Sequence, residues 1–130
     1  MATIHRFEDL EIWQIAKKLS LKVFKLTETG PVSKDFRFRD QIRSSAGSVM
    51  DNIAEGFERS GQFELVNFLS ISKGSSSEVR SQLHRGIDQN YFSEETTDLI
   101  KEYEQLASKI SGFMKYLNYS EIKGQKFKDR

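Results

Sequence analysis

The chain predicts an all-α domain folded as an antiparallel up-down-up-down four-helix bundle, and three observations carry that expectation. Apolar residues recur at spacings of three and four along four successive stretches. Short turn signals separate the stretches, which makes consecutive helices antiparallel neighbours. With 8 Gly and 1 Pro in 130 residues, turn formers are too few for an all-β domain.

The first stretch carries Ile12, Ile15, Ala16, Leu19, Val23 and Leu26 on one face. Glu8, Asp9 and Glu11 crowd its start, where carboxylates meet the positive end of the helix dipole. Gly30-Pro31 stops it, since Gly accepts a left-handed end and Pro cannot continue the ladder. The second aligns Phe38, Ile42, Ala46, Val49, Ile53 and Phe57 behind a cap at Ser33 or Asp35. The third runs from Gln62 to Asp88 with Ser60 as its cap, and holds Leu65, Leu69, Ser72, Ser76, Val79, Leu83 and Ile87 in register. Asn90 ends that segment. Ser93 with Glu94 and Glu95 opens a capped acidic turn, and Leu99, Tyr103, Leu106, Ile110, Phe113 and Leu117 follow. Helices of about 20 to 27 residues reach roughly 30–40 Å at 1.5 Å per residue. The bundle domain spans residues 1–120, and a polar, basic tail (Lys123, Lys126, Lys128, Arg130) spans 121–130 and frays.

Composition narrows the chemistry. Twenty Lys and Arg against 19 Asp and Glu leave a formal charge of +1, which speaks against a histone-like arm but allows a local basic patch. Zero Cys removes disulfides, thiolate catalysis and Cys-based metal sites. No apolar h-region follows the N-terminus and no run approaches the roughly 20 residues of a membrane span, so a cytoplasmic protein is expected. No phosphate-cradling Gly loop, nucleophile elbow or zinc-protease helix occurs. Neither His5 nor His84 follows a Glu by three residues, as carboxylate metal sites in bundles require; no metal and no cofactor are expected. Glu55 and Glu78 could face inward and do acid–base work, but pairing with Arg59 and Arg80 is the plainer role. The sequence therefore predicts no enzyme.

Two polar lines stand out. Helix two carries Gln41, Ser45, Ser48, Asn52, Glu55 and Arg59, and helix three carries Asn67, Ser70, Gly74, Ser77, Ser81 and His84. Both follow the helical interval and are short-chained. One reading is tight packing of the two helices with internal hydrogen bonds; the other is a groove or a subunit interface. Ten Phe, four Tyr and one Trp exceed what a single seam absorbs. Trp13, Phe24, Phe36 and Phe63 lie off the seam or at helix starts, and are expected at a self-association interface. Lys34, Arg37, Arg39 and Arg43 interleave with Phe36 and Phe38 around the start of helix two, a pattern suited to phosphates and bases of RNA or DNA.

Phe7-Glu8-Asp9-Leu10 with Trp13, Gln41-Ile42-Arg43, and Asn52-Ile53-Ala54-Glu55-Gly56 with Arg59 resemble the bacterial four-helix bundle proteins, also called the ribosomal-RNA intervening-sequence proteins. Phe63-Glu64, Phe68-Leu69, Gly74-Ser75 and Glu78 extend the match, in order, over about residues 7–117. The resemblance implies a compact antiparallel bundle assembling into a ring-like homo-oligomer, a pentamer. It makes Gln41, Asn52, Glu55, Arg59, Gly74 and Glu78 family-motif positions. A distantly similar bundle, the accessory protein of diversity-generating retroelements, binds reverse transcriptase and nucleic acid, which makes a nucleic-acid or adaptor scaffold the leading analogy. Ser44 and Met50 depart from the family pattern, which often has Arg and Pro there, and Arg37-Phe38-Arg39 replaces a Gly-Leu-type sequence. The alternative is a protein-binding module that recognises a partner helix without nucleic acid.

Overall fold

Apolar periodicity places four helices, and four α-helices are found among the described residues. The computed structural model describes residues 4–123, with side chains described through residue 119. The helices are α1 (Glu11–Leu26), α2 (Phe36–Glu58), α3 (Gln62–Asp88) and α4 (Thr97–Lys123). Tight 3-10 turns at Phe7–Asp9, Pro31–Lys34 and Glu94–Thr96 precede α1, α2 and α4, and no strand occurs among the described residues.

Helix ends correct several expectations. Glu8 and Asp9 belong to the first 3-10 turn rather than to α1, which has only 16 residues; Arg6 sits 3.5 Å from Asp9 there. α1 stops at Leu26 because the backbone leaves helical geometry at Thr27 (φ −102°, ψ 7°), whose hydroxyl donates to the Val23 carbonyl at 2.9 Å. The chain then turns at Gly30, whose φ of 77° lies in the region that favours glycine. Asp35, not Ser33, caps α2, accepting from the Phe38 N–H at 3.1 Å. Ser60 does not cap α3; Gly61 takes that place with extended backbone and no side-chain bond. Asn90 ends the α3 turn as its residue type suggests, with φ 62°, while the Tyr91 N–H reaches back to the Gly86 carbonyl at 2.8 Å. Ser93 makes no side-chain cap, so Glu94 and Glu95 form a 3-10 turn instead of a capped first turn. α4 continues through Lys123, past the expected start of the polar tail, whose remaining residues 124–130, Lys126, Lys128 and Arg130 included, lie outside the described residues.

Neighbouring helices run in opposite senses, as their contacts show. Gln62 at the start of α3 donates to the Leu117 carbonyl near the end of α4, while Ser76 donates to the Tyr103 carbonyl at 3.2 Å. Across α2 and α3, Ser48 meets Ser75 at 2.9 Å and Gly56 lies against Leu65 and Phe68. Across α1 and α4, Lys22 pairs with Glu102 at 2.9 Å and Lys109 with Glu11 at 3.4 Å. The predicted seams form the core: Ala16, Val23, Ile42, Val49, Ile53, Leu65, Leu69, Leu83, Leu106 and Ile110 are fully buried. Each buried Leu or Ile contributes roughly 1.5–3 kcal/mol relative to exposure, and this sets the bundle's shape. Two glycines let backbones close up. A Cβ on Gly56 would stand 2.7 Å from the Phe68 Cβ, and one on Gly86 only 2.3 Å from the Phe92 ring.

Candidate functional site

The two polar lines have different fates. On α2 the line is largely bonded. The Asn52 amide donates to the Ser48 carbonyl at 2.8 Å and to its hydroxyl at 2.9 Å, and Ser48 bridges to Ser75. Ser45 donates to the Gln41 carbonyl at 3.1 Å, and the Gln41 side chain accepts from Arg85 at 3.4 Å. Glu55 stands 2.9 Å from Arg59, whose guanidinium also lies over the Phe68 ring. Internal hydrogen bonding therefore describes Asn52, while the Glu55–Arg59 pair sits on the surface.

On α3 the packing expectation fails. Asn67, Ser70, Gly74, Ser77, Ser81 and His84 all face outward, and nothing lies within 4 Å of a Cβ built on Gly74. The serines that meet neighbouring helices are Ser72, Ser75 and Ser76; Ser72 donates to the Val49 carbonyl at 2.6 Å and Ser76 to α4. Ser72 and Ser76 were legible from the apolar register. Ser75 was missed, because it stands beside that register rather than in it.

At the start of α2 the four predicted cations split into two pairs. Arg43 is committed: its guanidinium donates to the Thr27 hydroxyl at 2.8 Å and to the Phe24 carbonyl at 3.3 Å, and covers the Phe24 ring at 4.1 Å. Arg39 bonds Asp40 at 3.0 Å and the Ser33 carbonyl at 3.2 Å, and stands 4.9 Å over the Phe36 ring. Lys34 and Arg37 are exposed and make no ion pair among the described residues. Behind them, Tyr91 donates its hydroxyl to Asp35 at 2.6 Å. This bond, with the Phe38 N–H, holds the Asp35 carboxyl below its ordinary range, and the same bond raises Tyr91.

The predicted interface aromatics are not alike. Phe63 is 82% exposed, Phe36 62% and Phe24 43%, so three of them remain available to a partner. Trp13 is half-buried instead, meeting Phe7 edge-on at 5.1 Å with Lys17 above it. It packs inside its own chain because the first 3-10 turn folds Phe7 over it.

Acid–base and metal readings find no geometry. Glu55 and Glu78 are both exposed, on different helices. Pairing along α2 and α3 puts Glu55 roughly opposite residue 67, so Glu78 stands about 16 Å further along α3 at 1.5 Å per residue. The expected Glu78–Arg80 pair does not form among the described residues. No group of three His, Asp or Glu could hold a metal among the described residues. No helix there is long and apolar enough to cross a membrane.

Sequence reading also missed a cleft of about 700 Å³ between α3 and α4, lined by Lys73 and Arg80 on one side and Lys115 on the other. Lys115 stands 35 positions beyond Arg80, a separation that no local pattern connects.

No curated protein matches this sequence. The family model described as 23S rRNA-intervening sequence protein matches residues 8–112, covering α1 to α3 and the first half of α4. That match extends over most of the chain and takes in the Asn52–Gly56 block and the Glu55–Arg59 pair, and on it the protein belongs to the 23S rRNA-intervening sequence protein family.

Proposed function

We propose that this protein is a non-enzymatic, self-associating bundle of the cytoplasm that serves as a nucleic-acid-binding or adaptor scaffold. One observation carries the reading: the end of the bundle around the start of α2 combines exposed Phe36 and Phe24 with two unpaired cations, Lys34 and Arg37. Exposed rings stack bases, and unpaired cations neutralise phosphates. Arg39 and Arg43, already bonded to their own chain, hold the two rings in place rather than reaching outward. Phe63 and the outward aromatics supply apolar surface for further copies, and the pentameric ring follows from the family resemblance. A ring would repeat the cluster and raise avidity without new contacts. The reading uses no catalytic residue, metal or cofactor.

Solution mass, measured with and without labelled RNA or DNA over a salt series, tests both halves. A multimer that takes up oligonucleotide at low salt and releases it as salt rises is the expected result. A monomer rejects self-association; no binding at the lowest salt rejects the nucleic-acid half.

The outward line of α3 favours a second reading, a module that binds a partner helix. Asn67, Ser70, Gly74, Ser77 and Ser81 leave the face low in charge, with Phe63 at its end. Capture of that partner is then insensitive to salt and lost in Gly74→Leu, which has room to fold. Unchanged capture by the folded variant rejects this reading.

A further inference from the structure

We propose that the cleft between α3 and α4 binds the phosphate backbone of a single nucleic-acid strand, a proposal that rests on the nucleic-acid reading above and assigns it a second contact surface. Lys73 and Arg80 project from α3, two turns apart, and Lys115 from α4. None of the three makes an ion pair among the described residues, in contrast to Arg39 and Arg59, which are each paired. Glu104 is the one carboxylate among the described residues of the lining, which therefore carry two positive charges in excess on a chain whose total is +1. Unpaired like charges collected on a nearly neutral surface create a local positive potential that draws an anion.

The form of the cleft selects an extended anion over a compact one. It is open along its length, and from Glu104 to Lys115 it runs about 16 Å at 1.5 Å per residue. Between Gln105 and Lys115 its α4 side carries the small residues Ala107, Ser108, Ser111 and Gly112, so a chain can approach the helix closely there. Nothing lies within 4 Å of a Cβ built on Gly112. The serine hydroxyls can donate to phosphate oxygens while the three cations neutralise them. No aromatic residue lines the cleft among the described residues, so bases find no stacking platform there and the contact reads backbone alone. The aromatic end of α2 and this cleft thus divide the work: one stacks bases, the other holds phosphates.

The test compares the full chain with the triple variant Lys73→Gln, Arg80→Gln, Lys115→Gln and with the double variant Lys34→Gln, Arg37→Gln. Labelled 12-mers of U and of A are titrated at several salt concentrations, with helicity and melting of each variant measured alongside. The triple variant is expected to bind about tenfold or more weakly at low salt, and its slope of log affinity against log salt to fall by about 2, the loss of three single-strand phosphate contacts. The loss is expected to be equal for U and A. Lys115→Gln alone, an exposed change, is expected to lower the slope by about 0.7 and serves if the triple variant does not fold. Wild-type affinity and slope in the folded triple variant, or in Lys115→Gln where the triple variant does not fold, with the wild type binding RNA, overturn the cleft proposal and leave the nucleic-acid reading standing. No binding by the wild type at the lowest salt overturns both. Inorganic tripolyphosphate displacing RNA at equal phosphate and fixed ionic strength would show that the cleft takes short phosphate chains, and would overturn its assignment to a nucleic-acid strand.

Discussion

The two sides of α3 use the same small residues for opposite ends. Toward the core, Ser72 and Ser76 donate to carbonyls of α2 and α4, Ser75 meets Ser48, and Gly86 lets the Phe92 ring lie on the helix backbone. Toward solvent, Ser70, Gly74, Ser77 and Ser81 stand at similar intervals, with Ser77 reaching only its own helix, at the Lys73 carbonyl. Small polar residues at helical spacing are thus compatible with a packing device or with an open surface. What separates the two is angular position relative to Leu65, Leu69, Val79 and Leu83, the residues that burial pulls inward.

Substitutions on the two sides should differ in sign as well as size. The largest effect is expected for Gly86→Ala, whose Cβ would sit 2.3 Å from two atoms of the buried Phe92 ring and 3.3 Å from Phe38. Overpacking of this kind costs about 1–3 kcal/mol, read as a lower denaturation midpoint. A midpoint at or above wild type would mean that the inner side is not closely packed. Ser72→Ala, which strips the Val49 carbonyl of its side-chain donor, should cost ~1 kcal/mol by the same measurement. Gly74→Ala should instead stabilise the protein, by roughly 0.5–1 kcal/mol, because alanine is the better helix former and the site is open. Destabilisation there would reveal a neighbour on the outer side and erase the contrast.

The smallest effect at neutral pH is expected just beyond the inner side, at the Asp35–Tyr91 bond. Asp35 is held below its ordinary 3.8, first by Tyr91 and then by the Phe38 N–H. A depressed carboxyl contributes stability that is present above the unfolded value and is lost as pH falls through the lower, folded one. Tyr91 is raised, so its contribution is present below 10.0 and is lost as pH climbs above that. Asp35→Asn, which keeps a cap but not the charge, should flatten the acid limb of a stability–pH curve and lower stability slightly at pH 7. An unchanged acid limb would show that Asp35 is not its source.

Much of this fold was readable because burial writes a strong signal. Leu19, Val23, Ile42, Val49, Leu69 and Leu106 repeat at the helical period, and each lies in the core. Helix ends were read less well, since Thr27 and Gly61 finish or start helices through backbone geometry that several residue types permit. At the candidate site, the sequence shows that Lys34, Arg37, Arg39 and Arg43 are close together, but not that two are bonded to their own chain. Arg43 reaches Thr27 across 16 positions. That commitment depends on how α1 ends, which no charge pattern encodes. The cations of the α3–α4 cleft come from two helices, Lys73 and Arg80 from α3 and Lys115 from α4, and the two groups meet only once the bundle is assembled.

The serine bridges between α2 and α3 also bear on the route by which the chain reaches its native state. They join residues 23 and 27 positions apart, whereas the ties from α1 to α4 span 80 and 98. Sequential helices all close such short loops, Ser76 reaching Tyr103 across 27 positions and Arg43 reaching Thr27 across 16. Because α2 packs on α3 most extensively, that hairpin should nucleate assembly, with α1 meeting α4 last. Stopped-flow kinetics would register this as slower refolding in Ser72→Ala and mainly faster unfolding in Leu19→Ala.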